Sequence, residues 1–211
     1  GSNFGGFGVA VAASLGEGYM IQCFEVQKAI FYQLCTNIFI NKLPNCHAHN
    51  VALGEKQDTL LIPELDYRRS KNIGGFSIDK NIRNNLAIDA KNRRALANFK
   101  TDTIHNVMQW RLDDFCFEEQ VTFVKLDVEG KELEVLFGAK ATLESSGYPP
   151  IILEIWEGRA WYARKAEETK KFLNNLGYKL FRIGPNVLAQ HPGHSSFANI
   201  SIGDRVGGLS C

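Results

Sequence analysis

The sequence predicts an α/β fold built on a doubly wound, mostly parallel sheet. Short apolar runs of strand length alternate with segments whose apolar residues recur at helical spacing. A glycine-rich turn over residues 1–8 opens the chain directly before the first helical segment. At 211 residues the chain is long enough for one full core, so we expect a single domain over residues 1–211.

Composition excludes several classes of protein. Hydrophobic residues make up 45% of the chain and charged residues 22%, as in an ordinary globular protein. A formal net charge of +1 gives no electrostatic case for nucleic acid as a partner, and no apolar run approaches the ~18 residues of a membrane span. No pattern specifies an oligomeric state. The five cysteines lack CxxC or zinc-like spacing, which favours a reducing compartment, and we expect a cytoplasmic location.

The N-terminal half begins with the turn and a small-residue helical segment, and residues 19–24 follow as a buried strand that ends at Glu25. Residues 27–41 carry apolar side chains at helical spacing and predict a core-facing helix. Residues 47–53 predict a third strand with Asn50 and Ala52 near its carboxyl end. A turn, a helix, a strand and an acid about 20 residues on is the layout of a nucleoside-binding unit, in which the acid accepts ribose hydroxyls. The alternative is that Glu25 is a solvated strand end.

The middle of the chain is less regular. Residues 59–62 read as a strand that Pro63 interrupts, and residues 103–110 resume strand character. Between them, the segment 63–102 is rich in Lys, Arg and Asn, and we predict an irregular insertion there. It is either a solvated excursion or a cap over the site.

The C-terminal half centres on an apolar run, residues 123–126, that ends in Asp127 and Glu129 before a helical segment. Ligands of open α/β sheets bind outside the carboxyl ends of the strands, so this loop predicts the floor of an active site. Residues 151–156 predict a buried strand, and residues 166–176 a helix that Gly177 closes. Residues 178–183 and 186–189 predict an antiparallel hairpin, and residues 197–202 a short edge piece.

Several motifs together resemble the FkbM-type S-adenosylmethionine-dependent methyltransferases, from residue 1 to about 190. They are the Gly-Ser-Asn-Phe-Gly turn, the acid Glu25, the step at residues 51–54, the Asp-Val-Glu-Gly block at 127–130 with its tail at 132–139, and the strand at 151–155. The resemblance implies a Rossmann-like class I methyltransferase fold with a seven-stranded sheet, and O-methylation of a hydroxyl on a sugar, glycan or small natural product. The family has an apolar strand before the first glycine; this sequence does not contain it, so we expect a longer protein.

The resemblance also implies where the cofactor, S-adenosylmethionine, lies. Glu25 accepts from the ribose hydroxyls and Val26 packs on the adenine, while Asn50 or Ala52 lies at the adenine edge. The turn surrounds the methionine and ribose portion, and the cofactor set is completed by Gly1, Asn3, Gly5, Phe7 and Asp127. S-adenosylmethionine carries no phosphate, so the turn need not be the dinucleotide fingerprint Gly-x-Gly-x-x-Gly. Its absence counts against a nicotinamide dehydrogenase.

Methyl transfer to a hydroxyl requires a base, and three carboxylates are candidates. Asp127 is the predicted base or metal ligand, with Glu129 and Glu154 as second carboxylates. If a metal takes part, Mg²⁺ on Asp127 and Glu154 suits this oxygen-rich set. Two alternatives stay open: Glu129 as a charge at a helix start, and Glu154 as the ion-pair partner of Lys125.

Three further side chains are candidates for binding the acceptor. Trp156 and Trp161 could stack on a sugar ring, or close the core instead. His194 lies in a Pro-Gly loop after the last strand, where a solvated loop histidine is the alternative. As a whole, the alternative function is a non-catalytic module that binds a cofactor or ligand on the same fold.

Overall fold

The computed structural model describes residues 1–16, 18–65, 74–89 and 99–197, without the side chains of 87–89 and 99–103. These residues form an α/β structure in two compact units, Gly1–Arg111 and Leu112–Cys211. The single domain over 1–211 stays a prediction. No helix in the described part of the chain is long and apolar enough to cross a membrane.

The first unit contains three helices and five strands in the described residues: α1 Gly8–Leu15, β1 Ile21–Phe24, α2 Lys28–Ile40, β2 Cys46–His49, β3 Ala52–Leu53, β4 Asp58–Leu65, α3 Lys80–Asp89 and β5 Phe99–Trp110. β1 and β2 pair in parallel, with Ile21 opposite Cys46. Their core contains Ala12 of α1 and Leu34 of α2, so both helices pack on this pair. Helical spacing overestimates the buried face of α2, because Phe39 is 83% exposed.

The predicted strand over residues 47–53 is wrong as a single element. β2 ends at His49, and β3 begins at Ala52 in another sheet. The side-chain amide of Asn50 donates to the carbonyl oxygens of Glu25 (2.8 Å) and Val26 (3.2 Å), which holds the chain between the two strands. The predicted strand therefore divides into β2 and β3 at Asn50, whose side chain binds the loop after β1.

β3, β5 and β4 form a second sheet in that order, parallel between β3 and β5 and antiparallel between β5 and β4. Contrary to the prediction, Pro63 does not end β4; the strand continues to Leu65 with a register shift between Pro63 and Glu64. Proline is tolerated there because β4 is an edge strand among those described, and a bulge removes the need for its N–H. Part of the predicted insertion is thus regular structure, while residues 66–73 and 90–98 lie outside the described residues.

In residues 112–197 the second unit contains a 3₁₀ turn at Leu112–Asp114 and seven further elements: β6 Val124–Leu126, α4 Glu132–Phe137, α5 Lys140–Ser145, β7 Ile151–Glu154, α6 Ala163–Asn175, β8 Lys179–Ile183 and β9 Asn186–Gln190. The sheet order is β6-β7-β9-β8, with β6 parallel to β7 and β9 antiparallel to both neighbours. The predicted hairpin of β8 and β9 is confirmed. Residues 198–202 of the predicted edge piece lie outside the described residues.

The described strands therefore form sheets of two, three and four strands, partly parallel and partly antiparallel. The α/β class is confirmed, and the seven-stranded sheet stays a prediction. On α4 the predicted burial of Leu133 and Leu136 is confirmed, but Phe137 is 45% exposed and meets Phe172 of α6 edge-on.

Candidate functional site

The glycine-rich turn of the first unit has a backbone conformation that requires glycine at position 5. Asn3 and Gly5 both have positive φ, 51° and 94°. A Cβ on Gly5 would lie 2.6 Å from Cγ2 of Val9 and 2.8 Å from Cδ1 of Leu34, so only glycine fits here. The N–H of Ser2 donates to the carbonyl oxygen of Phe24 at 2.8 Å, which ties the turn to the end of β1.

Glu25 holds this turn in place. Its carboxylate is only 4% exposed, and its two oxygens accept from the backbone N–H groups of Asn3 and Gln27, each at 2.8 Å. The structure places Glu25 beside the turn, as the sequence predicts. A carboxylate has about four lone-pair positions, so each oxygen keeps one acceptor position beyond these bonds.

The other predicted cofactor residues of the first unit differ in their surroundings. Val26 is half-buried against the core of the second sheet, and Asn50 bridges to its backbone. Ala52 is buried inside that core with Ile62 and Val107, so its methyl group supports the strand. Gly1 and Phe7 are exposed.

In the second unit, three carboxylates converge at the carboxyl ends of β6 and β7. Leu126 pairs with Leu153, so Asp127 and Glu154 occupy the next register position on neighbouring parallel strands. One oxygen from each of Asp127, Glu129 and Glu154 lies within 4.8 Å of the others, and all three residues are half-buried. The structure therefore brings together the three carboxylates that the sequence singles out.

Glu129 combines an uncommon backbone conformation with a raised pKa. Its backbone is left-handed, with φ of 53°, an uncommon conformation for a residue with a side chain. Burial, and next the charges of Asp127, Glu154 and Glu132, raise the pKa of Glu129 to about 8, while Arg159 opposes the rise. A carboxyl with this pKa exchanges its proton near neutral pH.

Asp127 has a different electrostatic partner. Nζ of Lys125 lies 2.9 Å from its Oδ2, and both side chains are partly exposed. Lys125 thus forms its ion pair with Asp127, at the end of its own strand, and the alternative in which it pairs with Glu154 is wrong. The three carboxylates form an oxygen-rich set, and this lysine already neutralises one of their charges.

Glu132 is a functional candidate that sequence reasoning missed. It is 1% exposed, its Oε1 accepts from the backbone N–H of Val128 (3.1 Å) and Gly130 (3.2 Å), and its Oε2 accepts from the hydroxyl of Tyr162 (3.1 Å). Burial raises its pKa. A signal was present in the sequence, because Glu132 shares one buried face of α4 with Val135 and Leu136.

An aromatic cluster lies in the loop after β7. The rings of Trp156, Trp161 and Tyr162 lie 5.1–6.0 Å apart between centroids, and the guanidinium of Arg159 lies 5.1 Å from the Trp156 ring and 5.8 Å from the Trp161 ring. Tyr162 is buried, whereas both tryptophans are half-buried. His194 bonds locally to Ser196, with Nδ1 and Oγ 2.7 Å apart.

Comparisons with known proteins agree with the motifs. The family model of the methyltransferase FkbM domain matches residues 8–180. No curated protein matches the chain. The chain is similar in structure to methyltransferase FkbM from Methylobacillus flagellatus KT, with a TM-score of 0.57 and 15% identity over 90% of this chain.

That similarity covers 42% of the other chain, so this chain spans less than half the length of that protein. At 15% identity the likeness shows a shared α/β fold and nothing of the substrate. The family model, by contrast, covers most of the chain. The resemblance seen in the sequence is confirmed: the chain belongs to the FkbM methyltransferase domain family.

Proposed function

We propose that this protein transfers the methyl group of S-adenosylmethionine to a hydroxyl of a sugar, glycan or small natural product. The observation that carries the proposal is the cluster of Asp127, Glu129 and Glu154 at the ends of two parallel strands. Hydroxyl oxygens are poor nucleophiles until a base takes their proton. Family membership supports the methyl-transfer chemistry, and the carboxylate cluster supports a hydroxyl as the acceptor.

The proposed cofactor site belongs to the first unit. Glu25 accepts from the ribose hydroxyls with its remaining lone pairs, Val26 packs on the adenine, and Asn50 keeps Val26 in position. The turn contributes Gly1, Asn3, Gly5 and Phe7, and Ala52 supports the adenine edge. Asp127 is retained as a cofactor-binding candidate from the sequence alone. When bound, S-adenosylmethionine supplies an electrophilic methyl group on its sulfonium sulfur.

Glu129 is the better candidate for the base. Asp127, the base expected from the sequence, is already engaged in an ion pair, with Nζ of Lys125 2.9 Å from its Oδ2. Glu129 has a pKa raised to about 8, near the pH at which an enzyme works. In this proposal Glu129 accepts the hydroxyl proton, and Asp127 and Glu154 keep its proton affinity high.

A metal ion is not required for this assignment, because Lys125 supplies a positive charge beside Asp127. The carboxylate oxygens do suit a hard cation, so Mg²⁺ on Asp127 and Glu154 stays a prediction. Loss of methyl transfer on addition of EDTA, with recovery on addition of Mg²⁺, would support it. The cytoplasmic location also stays a prediction.

The proposed acceptor surface is the half-buried pair Trp156 and Trp161, whose rings offer apolar faces suited to a sugar. Arg159 lies over both rings and acts electrostatically on Glu129, so this loop belongs to the same neighbourhood as the carboxylates. His194 is retained as a substrate-binding candidate from the sequence alone.

A second candidate function is a non-catalytic module that binds a cofactor or ligand on this fold. The observation that favours it is the burial of Glu25, whose oxygens already accept two backbone N–H groups. This carboxylate supports the binding turn whether or not the protein catalyses methyl transfer.

Calorimetric titration with S-adenosylhomocysteine, followed by an assay of its release from S-adenosylmethionine, separates the two candidates. Methyl glycosides and phenols serve as acceptors. The enzyme hypothesis predicts binding and acceptor-dependent release. Binding without release for any acceptor would favour the module, and absence of binding would contradict the enzyme.

A further inference from the structure

The conformation of the loop that carries Glu129 depends on the buried side chain of Glu132. Residues 127–131 connect β6 to α4, and two consecutive residues in this loop, Glu129 and Gly130, have positive φ of 53° and 93°. A left-handed residue with a long side chain costs free energy, so the surrounding structure must hold it. Hydrogen bonds from the backbone N–H groups of Val128 and Gly130, on either side of Glu129, hold this conformation.

Both bonds end on one atom. The N–H groups of Val128 and Gly130 converge on Oε1 of Glu132, at 3.1 and 3.2 Å, so the carboxylate clamps the backbone before and after Glu129. Its other oxygen accepts from the hydroxyl of Tyr162 at 3.1 Å. Glu132 and Tyr162 are both buried, which shields these bonds from water.

Tyr162 connects this clamp to the aromatic cluster. Its ring lies 5.1 Å from that of Trp156 and 5.8 Å from that of Trp161. The proposed acceptor surface and the proposed base are therefore joined through one tyrosine and one buried carboxylate, all within the second unit.

We propose that Glu132 is the positioning residue of the carboxylate cluster: it fixes the left-handed backbone that presents Glu129, and Tyr162 couples this loop to the acceptor surface of Trp156 and Trp161. The importance of this arrangement for catalysis rests on the proposed function. The clamp itself does not, since it is defined by hydrogen bonds that can be measured without any substrate.

Amide hydrogen exchange of Val128 and Gly130, followed by NMR without ligand, is the first measurement. The variants are Glu132→Gln, which replaces one carboxyl oxygen by an NH2 group, and Tyr162→Phe, which removes only the hydroxyl. In Glu132→Gln both amides should exchange faster by about tenfold or more, and their proton resonances should move upfield, because the NH2 group of glutamine is a donor and the side chain can no longer accept from the loop and from Tyr162 in the same geometry. Tyr162→Phe should give a smaller change of the same sign.

Tyr178→Phe is the matched control. Tyr178 is also buried in the second unit, and its hydroxyl donates to the carbonyl oxygen of Pro149 at 2.9 Å. This variant should lose a comparable buried hydrogen bond while the amides of Val128 and Gly130 stay protected. Unchanged exchange in Glu132→Gln, or an equal change in Tyr178→Phe, would overturn the proposal.

Kinetics with methyl glycosides as acceptors provide the second measurement. Glu132→Gln should lower kcat by about tenfold or more because Glu129 is no longer held in position, and the affinity for S-adenosylhomocysteine should change much less, since Glu25 and the glycine-rich turn of the first unit are untouched. A normal kcat in a variant with exposed amides would overturn the positioning role. If the wild-type protein transfers no methyl group, the proposed function fails, and the exchange data still decide whether Glu132 holds the loop.

Discussion

Replacing Glu129 by glutamine should change how the stability of the protein depends on pH. Burial and the charges of Asp127 and Glu154 raise the pKa of Glu129 from 4.5 to about 8. Between these values the carboxyl is protonated in the folded state and ionised in the unfolded state. The unfolded state then binds fewer protons, so this group makes the free energy of unfolding fall as pH rises.

The magnitude follows from linkage. One pKa unit corresponds to ~1.36 kcal/mol, so integration between pH 5 and pH 8 gives a loss of roughly 3 kcal/mol from this group. Residual solvation makes that an upper figure. Glutamine mimics the protonated carboxyl and does not titrate, so Glu129→Gln should gain stability relative to the wild type as pH rises from 5 to 8.

Urea denaturation of both proteins at pH 5 and pH 8 measures this difference. Glu144→Gln is the control, because it removes an exposed glutamate of the same unit. The difference between Glu129→Gln and the wild type should change by up to ~3 kcal/mol over this range, and that for Glu144→Gln by only a few tenths. If the two variants show the same pH dependence, the electrostatic account of the cluster is refuted.

Three other changes test separate parts of the structure. Gly5→Ala should lower the free energy of unfolding by at least ~1 kcal/mol, because the added Cβ would clash with Val9 and the backbone has a positive φ. Gly18→Ala is the control, since the space around Gly18 is open, and it should leave stability unchanged. Thermal denaturation compares the two variants. Asp127→Asn should move the midpoint of the pH–rate profile downward, because a negative charge beside Glu129 is lost; an unmoved midpoint would contradict the coupling. Glu25→Ala should weaken binding of S-adenosylhomocysteine by ~1.5–3 kcal/mol for each lost charge-assisted bond, measured by calorimetry; unchanged affinity would remove Glu25 from the cofactor site.

The carboxylate cluster was predictable because it depends on local patterns. An apolar run that ends in an acid fixes a strand end, and the parallel pairing of β6 and β7 brings Asp127 and Glu154 to the same sheet edge. The sequence also predicted the β8–β9 hairpin from its Gly-Pro connection.

The errors have a common physical cause, which is the influence of a single distant partner on a local pattern. The strand over residues 47–53 divides because Asn50 bonds to the loop after β1. Pro63 stays within β4 because edge position and a register shift make its missing N–H harmless. Neither partner can be read from the residues on either side.

The different roles proposed for Asp127, Glu129 and Glu132 could not be predicted from the sequence either. Asp127 reads as the base because it comes first after the strand, but its charge is shared with Lys125. Glu129 reads equally well as a charge at a helix start, and only its left-handed backbone and raised pKa set it apart. Glu132 lies on an apolar helical face, where an acid signals a buried partner such as Tyr162.

The most direct test of the central claim is the transfer of isotope from methyl-labelled S-adenosylmethionine to hydroxyl acceptors, with the wild-type protein and Glu129→Gln. The account predicts that label enters an acceptor hydroxyl with the wild type, at a rate that rises with pH up to about 8, and that Glu129→Gln loses most of this rate. Label that stays on the cofactor with every acceptor, in a protein that binds S-adenosylhomocysteine, would contradict the claim of methyl transfer. Full activity of Glu129→Gln would contradict the assignment of the base.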